Sequence, residues 1–447
     1  VEEEVDVACR MAGGQDDGAE ELHLHSPFLP FSSAELSAFF AAPDGVSPLL
    51  SLTGGGGDGS FDAIRPYNPD EVRGAIDSLL HDRQFMRILK GMVPFLPVGV
   101  SRGLLKLATV GVHSTLDFQL RFMKPIVKYI LWRCATGHSF AYDGIAPGPG
   151  RYTFISNHRD IVLDSAILDV MLYEAGFPTT CEIAIGDNLL IYPWIRTLVR
   201  LNKAFIVQRS LAMREMLNAS HVMSRYMHYA VSEKHENIWI AQREGRAKDS
   251  EDRTQESILK MMAMGGEGTV TERLKDLHLV PLALSYEYDP CDYLKAKEFQ
   301  QKRDVAGFRK SRQDDLDNMR TGIFGQKGHI HFQAAPCIDA WLDSLDPAMP
   351  KTELFPRVAQ HIDREIHRCY RLYGSNRAAL DLLEGTTVHA TAAERAAFGK
   401  YLSARLDLAA DALRKEGLQP DTDFLRERML TMYANPAENQ RRASGAG

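Results

Sequence analysis

Cysteine is scarce: the 447 residues hold six, Cys9, Cys134, Cys181, Cys291, Cys337 and Cys369, with no CxxC pair and no second Cys or His at zinc-ligand spacing. That argues against a disulfide scaffold or a zinc ribbon and predicts buried thiols in a reducing compartment, with no metal site. An uninterrupted apolar run of about 18 residues is also missing, so no transmembrane helix is expected. Basic excess is missing as well. Lys and Arg number 52 against 59 Asp and Glu, for a net charge of −7, and no nucleic-acid partner is expected. The start, Val1-Glu2-Glu3-Glu4, is acidic and resembles neither a signal nor a transit peptide.

What remains is an ordinary soluble composition, 45% apolar and 25% charged. The charge is unevenly spread. Residues 1–60 carry eleven acids and a single base, Arg10, for −10, so the remainder is +3. With Gly54 to Gly57 in a row and few periodic segments, residues 1–60 are expected to form a disordered acidic leader. Asn68-Pro69-Asp70-Glu71 reads as a helix start, opening an N-terminal helical region over residues 61–133 that is broken at Pro94, Pro97 and Pro125. Within it, residues 122–133 interleave apolar side chains with Lys124, Lys128 and Arg133. That pattern fits an amphipathic helix on an anionic membrane and a core helix with a basic outer face equally well.

From residue 150 the rhythm changes to strand and helix in alternation. Strands are predicted at 151–156, 180–185, 205–208, 237–242, 279–286 and 328–332, and helices at 161–174, 210–233 and 254–265, with polar helix-biased segments over 292–320. This is the signature of an α/β fold, a mostly parallel sheet flanked by helices, spanning residues 134–345. A C-terminal helical region, 346–447, follows it, amphipathic over 391–434.

Four stretches carry chemistry. Asn157-His158-Arg159-Asp160-Ile161-Val162-Leu163-Asp164 lies between a predicted strand and a predicted helix, where a side chain is exposed at a sheet end. A carboxylate close by can hold His158 in one tautomer as a base near neutral pH, and both Asp160 and Asp164 are candidates. Between Asn188 and Arg214 there are five bases (Arg196, Arg200, Lys203, Arg209, Arg214) and no acid, interleaved with aromatics, which suits phosphate, a lipid interface or simply a solvated helix face. Gln242-Arg243-Glu244-Gly245-Arg246 follows a strand. There Gly245 permits close backbone approach, and Arg246 is able to grip a phosphate. Val280-Pro281 sits early on the next strand, which ends Ser285-Tyr286-Glu287.

The order of these stretches resembles the four motifs of the glycerolipid acyltransferase superfamily, the glycerol-3-phosphate and 1-acylglycerol-3-phosphate acyltransferases, over residues 134–340. Asn157-His158 with Asp164 is similar to that family's Asn-His-x4-Asp. Phe205-Ile206-Val207-Gln208-Arg209 is similar to its Phe-Ile-x-Arg, and Val280-Pro281 to its Val/Ile-Pro. Of the third motif, Phe-Pro-Glu-Gly-Thr-Arg-Ser, only Glu244-Gly245 matches. Gln242 and Arg243 replace Phe-Pro, and Arg246 stands one place early. The interval from His158 to Asp164 is one residue longer than the family's, with Leu163 at the expected Asp.

The resemblance implies an O-acyltransferase that moves a fatty acyl group from acyl-CoA or acyl carrier protein to glycerol 3-phosphate or lysophosphatidate, in phospholipid synthesis. It implies His158 as base and Asp164 as its orienting partner, with Arg209, Lys203 and Arg246 on the acceptor phosphate. Glu244 and Gly245 would order the loop or meet acceptor hydroxyls. The thioester is the donor substrate and no cofactor is implied. The expected setting is the cytoplasmic face of a membrane, held peripherally. Two alternatives stay open, a thioesterase or esterase in which His158 activates water, and a non-catalytic lipid-binding relative.

Overall fold

The computed structural model describes residues 61–92, 98–142, 144–190, 192–209 and 213–445. The expected acidic leader lies outside these residues. The N-terminal region is helical, as its start signal predicts. The backbone N–H of Asn68 donates to the Glu71 carboxylate at 2.7 Å and opens helix α1 (Pro69–His81). The amphipathic stretch becomes α2 (Lys124–Cys134), led in by a π-helical turn over Gln119–Met123. Val127 and Leu131 of α2 are buried, whereas Tyr129 and Trp132 are 59% and 73% exposed.

Seven strands form one sheet among the described residues: β1 (Gly137–Ala141), β2 (Thr153–Ser156), β3 (Cys181–Gly186), β4 (Ala204–Val207), β5 (Asn237–Ala241), β6 (Leu279–Tyr286) and β7 (His329–Ala334). Their order is β1-β7-β6-β2-β5-β3-β4. The five strands from β6 to β4 are parallel, and β7 joins β6 antiparallel with β1 parallel to β7. The sheet is therefore mostly parallel, as the alternation predicts. β1, which the sequence did not announce, has the pattern Gly-His-Ser-Phe-Ala, short of the β-branched residues that mark a strand.

Side-chain alternation explains the layers. Ile155, Ile238, Ile240 and Phe205 face one side, where they meet α5 (Met213–Ser232), α6 (Glu256–Met262) and α9 (Lys351–Arg368). Phe154, Trp239, Val280, Leu282 and Leu284 face the other, against α2 and α3 (Leu163–Glu174). Between them in sequence, α4 (Pro193–Leu201) packs on α1. The polar 292–320 stretch splits into α7 (Asp292–Asp304) and α8 (Arg312–Phe324). Leu354, Phe355, Val358, Ile362 and Ile366 of α9 belong to the sheet's core, so packing does not divide the chain at residue 346 as expected. The separate core of the tail is built by α10 (Gly374–Glu384), α11 (Ala392–Lys415) and α12 (Thr422–Gly445). No helix among the described residues is long and apolar enough to cross a membrane. Cys134, Cys181 and Cys291 are buried thiols.

Candidate functional site

β2 is the central strand of the seven in the sheet, flanked by parallel β6 and β5, and the chain leaves its C-terminal end at Asn157. That side chain prolongs the sheet: its Nδ2–H donates to the Leu284 carbonyl at 2.9 Å, and the Leu284 N–H donates to its Oδ1 at 2.8 Å. Asn157 thereby fixes where the next residue emerges. His158 packs edge-on against Trp239 of β5, with ring centroids 5.5 Å apart. The Trp239 indole N–H in turn donates to Ser156 Oγ at 3.0 Å.

The His158 Nδ1 lies 2.8 Å from Asp164 Oδ2. The same oxygen accepts the backbone N–H groups of Arg159 at 2.6 Å and Asp160 at 3.0 Å, so the loop folds around one carboxylate. Asp164 is fully buried, in the first turn of α3. A carboxylate only accepts, so the ring proton sits on Nδ1 and the Nε2 lone pair is left for a substrate. Asp164 Oδ1 accepts the Tyr286 hydroxyl at 2.8 Å.

Asp160 does something else. Its Oδ1 accepts the N–H groups of Val162 and Leu163, both at 2.9 Å, and so caps the entry to α3. Its other oxygen lies against Gly322, where any side chain would collide. Burial, reinforced by the nearby Asp164, pushes the Asp160 carboxyl above its usual range.

The ends of β3, β4 and β5 bring two more of the expected residues together. Arg209, just past β4, pairs with Glu244 at 3.1 Å, and its backbone N–H donates to Asp187 at 3.2 Å. Its guanidinium passes over Gly186, the last residue of β3, where a Cβ would come within 3.2 Å of it. Arg209 is 38% exposed and Glu244 69%, a pair open to solvent and to ligand. Gly245 turns the loop with φ of 68°, which a residue without Cβ adopts freely. Arg243 beside it is half-buried and makes no ion pair or hydrogen bond among the described residues.

Two expected residues lie elsewhere. Lys203 precedes β4, at the opposite end of that strand and about 20 Å of extended chain from Arg209. Its ammonium is buried against Glu236 at 2.6 Å and Thr179 at 3.0 Å, the residues that lead into β5 and β3. Counting bases in a stretch missed that a strand separates them. Arg246 turns beneath the His158 loop, near the Arg159 carbonyl and Asn318 Oδ1, both at 3.4 Å. Burial opposes its charge, but Cys291, Asp289 and Asp160 hold its pKa up. Arg196 and Arg200 of the basic stretch donate to the carbonyls of Ala63 and Arg65, at 3.0 Å and 2.8 Å, and clamp the chain ahead of α1.

The sequence reading passed over Trp239, Arg159 and the role of Tyr286. Arg159 is buried and pairs with Asp252 at 3.1 Å, tying the His158 loop to the loop after β5. Tyr286 carried a usable signal, because Leu282, Leu284 and Tyr286 alternate onto the face that packs on α3. Away from this site, His278, Cys337 and Asp339 have donor atoms within 4.8 Å of one another, at the other end of β6.

Residues 145–285 match the family model described as Acyltransferase. None of the curated proteins compared with the chain matches it. Among solved structures, the crystal structure of the 1-acyl-sn-glycerophosphate (LPA) acyltransferase PlsC from Thermotoga maritima is similar, at 11% identity and a TM-score of 0.34. The similarity covers 59% of this chain and 86% of that one.

Proposed function

We propose, from the match of residues 145–285 to the acyltransferase family model, that the protein acylates a hydroxyl of glycerol 3-phosphate or lysophosphatidate in phospholipid synthesis. The acyl group would come from acyl-CoA or acyl carrier protein. The observation that carries this reading is the 2.8 Å pair of His158 and Asp164 at the end of a central parallel strand, inside the matched segment.

In this scheme His158 Nε2 removes the acceptor hydroxyl proton as the oxygen attacks the thioester carbonyl. Asp164 holds the tautomer and stabilises the imidazolium that forms. The carbon–sulfur bond then breaks, and the proton passes from the imidazolium to the departing thiolate. The products are an ester and a free thiol, with no acyl-enzyme and no cofactor. Arg209 exchanges Glu244 for the acceptor phosphate, a cheap exchange because an exposed ion pair contributes little, about 0–1 kcal/mol. Lys203 has no part in it. Arg246 supports the loop, and Glu244 and Gly245 shape the acceptor's entrance.

The enzyme would work at a membrane surface, peripherally and on the cytoplasmic side. Tyr129 and Trp132, exposed on α2 beside Lys128 and Arg133, support contact with an anionic interface. The test is a panel of glycerol 3-phosphate, lysophosphatidate and unphosphorylated alcohols, incubated with acyl-CoA or acyl carrier protein and followed by mass. Ester formed on a phosphorylated acceptor is expected. Thioester hydrolysis alone, or no turnover with either donor, would refute the proposal in favour of a hydrolase or a lipid-binding protein.

A further inference from the structure

The fourth stretch singled out in the sequence ends in Tyr286, which the scheme above leaves unused. Tyr286 is the last residue of β6, the neighbour of β2. Asp164 receives three donors on Oδ2, namely His158 Nδ1–H and the N–H groups of Arg159 and Asp160. On Oδ1 its only hydrogen-bond partner among the described residues is the Tyr286 hydroxyl, at 2.8 Å. Because Oδ2 is shared by donors from one short loop, they locate that atom but leave the carboxylate able to swing about it. The Tyr286 donor, arriving from a different strand, fixes the second oxygen and hence the plane.

We infer that Tyr286 is a positioning residue: its hydroxyl sets the plane of the Asp164 carboxylate and thereby keeps the His158 proton on Nδ1. The inference rests on the acyltransferase reading and adds a residue to it. The phenol itself is packed into the sheet, its ring 6.4 Å from Phe332. Burial, then the charge of Asp164, holds its pKa well above the ordinary range, so it stays a donor through the working pH range. It touches no reacting atom. Its whole effect on the chemistry passes through Asp164 to the imidazole.

Removal of the oxygen alone, Tyr286→Phe, is the direct test. A carboxylate free to rotate lets His158 populate the Nε2–H tautomer, which has no lone pair toward the acceptor. Turnover is expected to fall about tenfold to a hundredfold, with the acceptor KM within about twofold, because only the base is affected. The independent readout is long-range proton–nitrogen NMR on protein labelled at histidine, with the His158 signals assigned by their loss in His158→Ala. The ring should be Nδ1–H in the natural protein and a tautomer mixture in Tyr286→Phe.

This readout needs no substrate, so it tests the positioning even where the acyltransferase reading fails the acceptor panel. A pure Nδ1–H tautomer in folded Tyr286→Phe overturns the inference, whatever happens to rate. So does a tautomer mixture with unchanged turnover. Where Tyr286→Phe does not fold, 3-fluorotyrosine at this position keeps the hydroxyl and its volume. A more acidic phenol draws carboxylate charge toward Oδ1 and weakens the hold of Oδ2. The Nδ1–H proton resonance should then move upfield, and an unmoved resonance overturns the inference.

Discussion

Asp160 and Asp164 stand four residues apart, yet only Asp164 touches His158; Asp160 spends its carboxylate on the N–H groups of Val162 and Leu163. The extra residue between His158 and Asp164 is absorbed in the turn that Asp160 caps.

The two carboxylates should therefore separate by experiment. Asp164→Asn retains the size but not the charge, and turnover should fall by about 10³–10⁴ while the fold persists. Asp160→Asn should retain most activity and change stability instead, since Asn also caps helices well. Steady-state rates and thermal melts of both variants check this. An inactive, folded Asp160→Asn beside an active Asp164→Asn would reverse the assignment.

Arg209→Ala should act on the phosphorylated acceptor. Loss of a charge-assisted hydrogen bond is worth about 1.5–3 kcal/mol, or roughly tenfold to a hundredfold in kcat/KM for that substrate. Thioester hydrolysis in the absence of acceptor should change far less. Equal losses on phosphorylated and unphosphorylated acceptors would remove Arg209 from phosphate binding.

Lys203→Met makes the opposite forecast. The variant strips Glu236 of its buried cation and should cost about 2–3 kcal/mol of stability. Its acceptor KM should match that of the natural protein at temperatures where both are folded. A raised KM specific to phosphorylated acceptors would return Lys203 to the site.

Binding to anionic vesicles should weaken as salt rises, because each base near the surface contributes about 1 kcal/mol and the attraction is screened beyond about 8–10 Å at physiological salt. Replacing Tyr129 and Trp132 together by Ala should reduce flotation further at every salt concentration. Retention through high salt and carbonate would contradict a peripheral attachment.

Much of this was legible in the chain. The alternation of apolar strands with helices announced the sheet, and the position of His158 between a strand and a helix announced a sheet-end imidazole, which the fold leaves 15% exposed. Local signals sufficed there, because a strand and the turn that follows it are contiguous. Lys203 failed for the converse reason. A strand of four residues, Ala204–Val207, separates Lys203 from Arg209 and sends the two bases to opposite ends of the strand. Arg159 with Asp252, and Asp164 with Tyr286, join residues 93 and 122 positions apart, and no pattern within a short window records such pairings. β7 turned antiparallel through a connection of two helices, whose polar sequences do not reveal which way the next strand will run.

The loop after β5 owes its shape to residues far downstream. Asp363 of α9 accepts the backbone N–H and the hydroxyl of Thr254, at 2.7 Å and 2.6 Å, and Asn435 of α12 donates to the Asp249 carbonyl at 2.7 Å. His367 meets the Asp252 carbonyl at 3.2 Å. The segment recognisable by family, 145–285, is thus not a portable unit. Moved to another host protein, or cut off after β6, it would carry its base and its carboxylate but leave behind the scaffold that keeps the loop in place. Heredity and self-sufficiency draw different borders on this chain, and the wider one reaches α12.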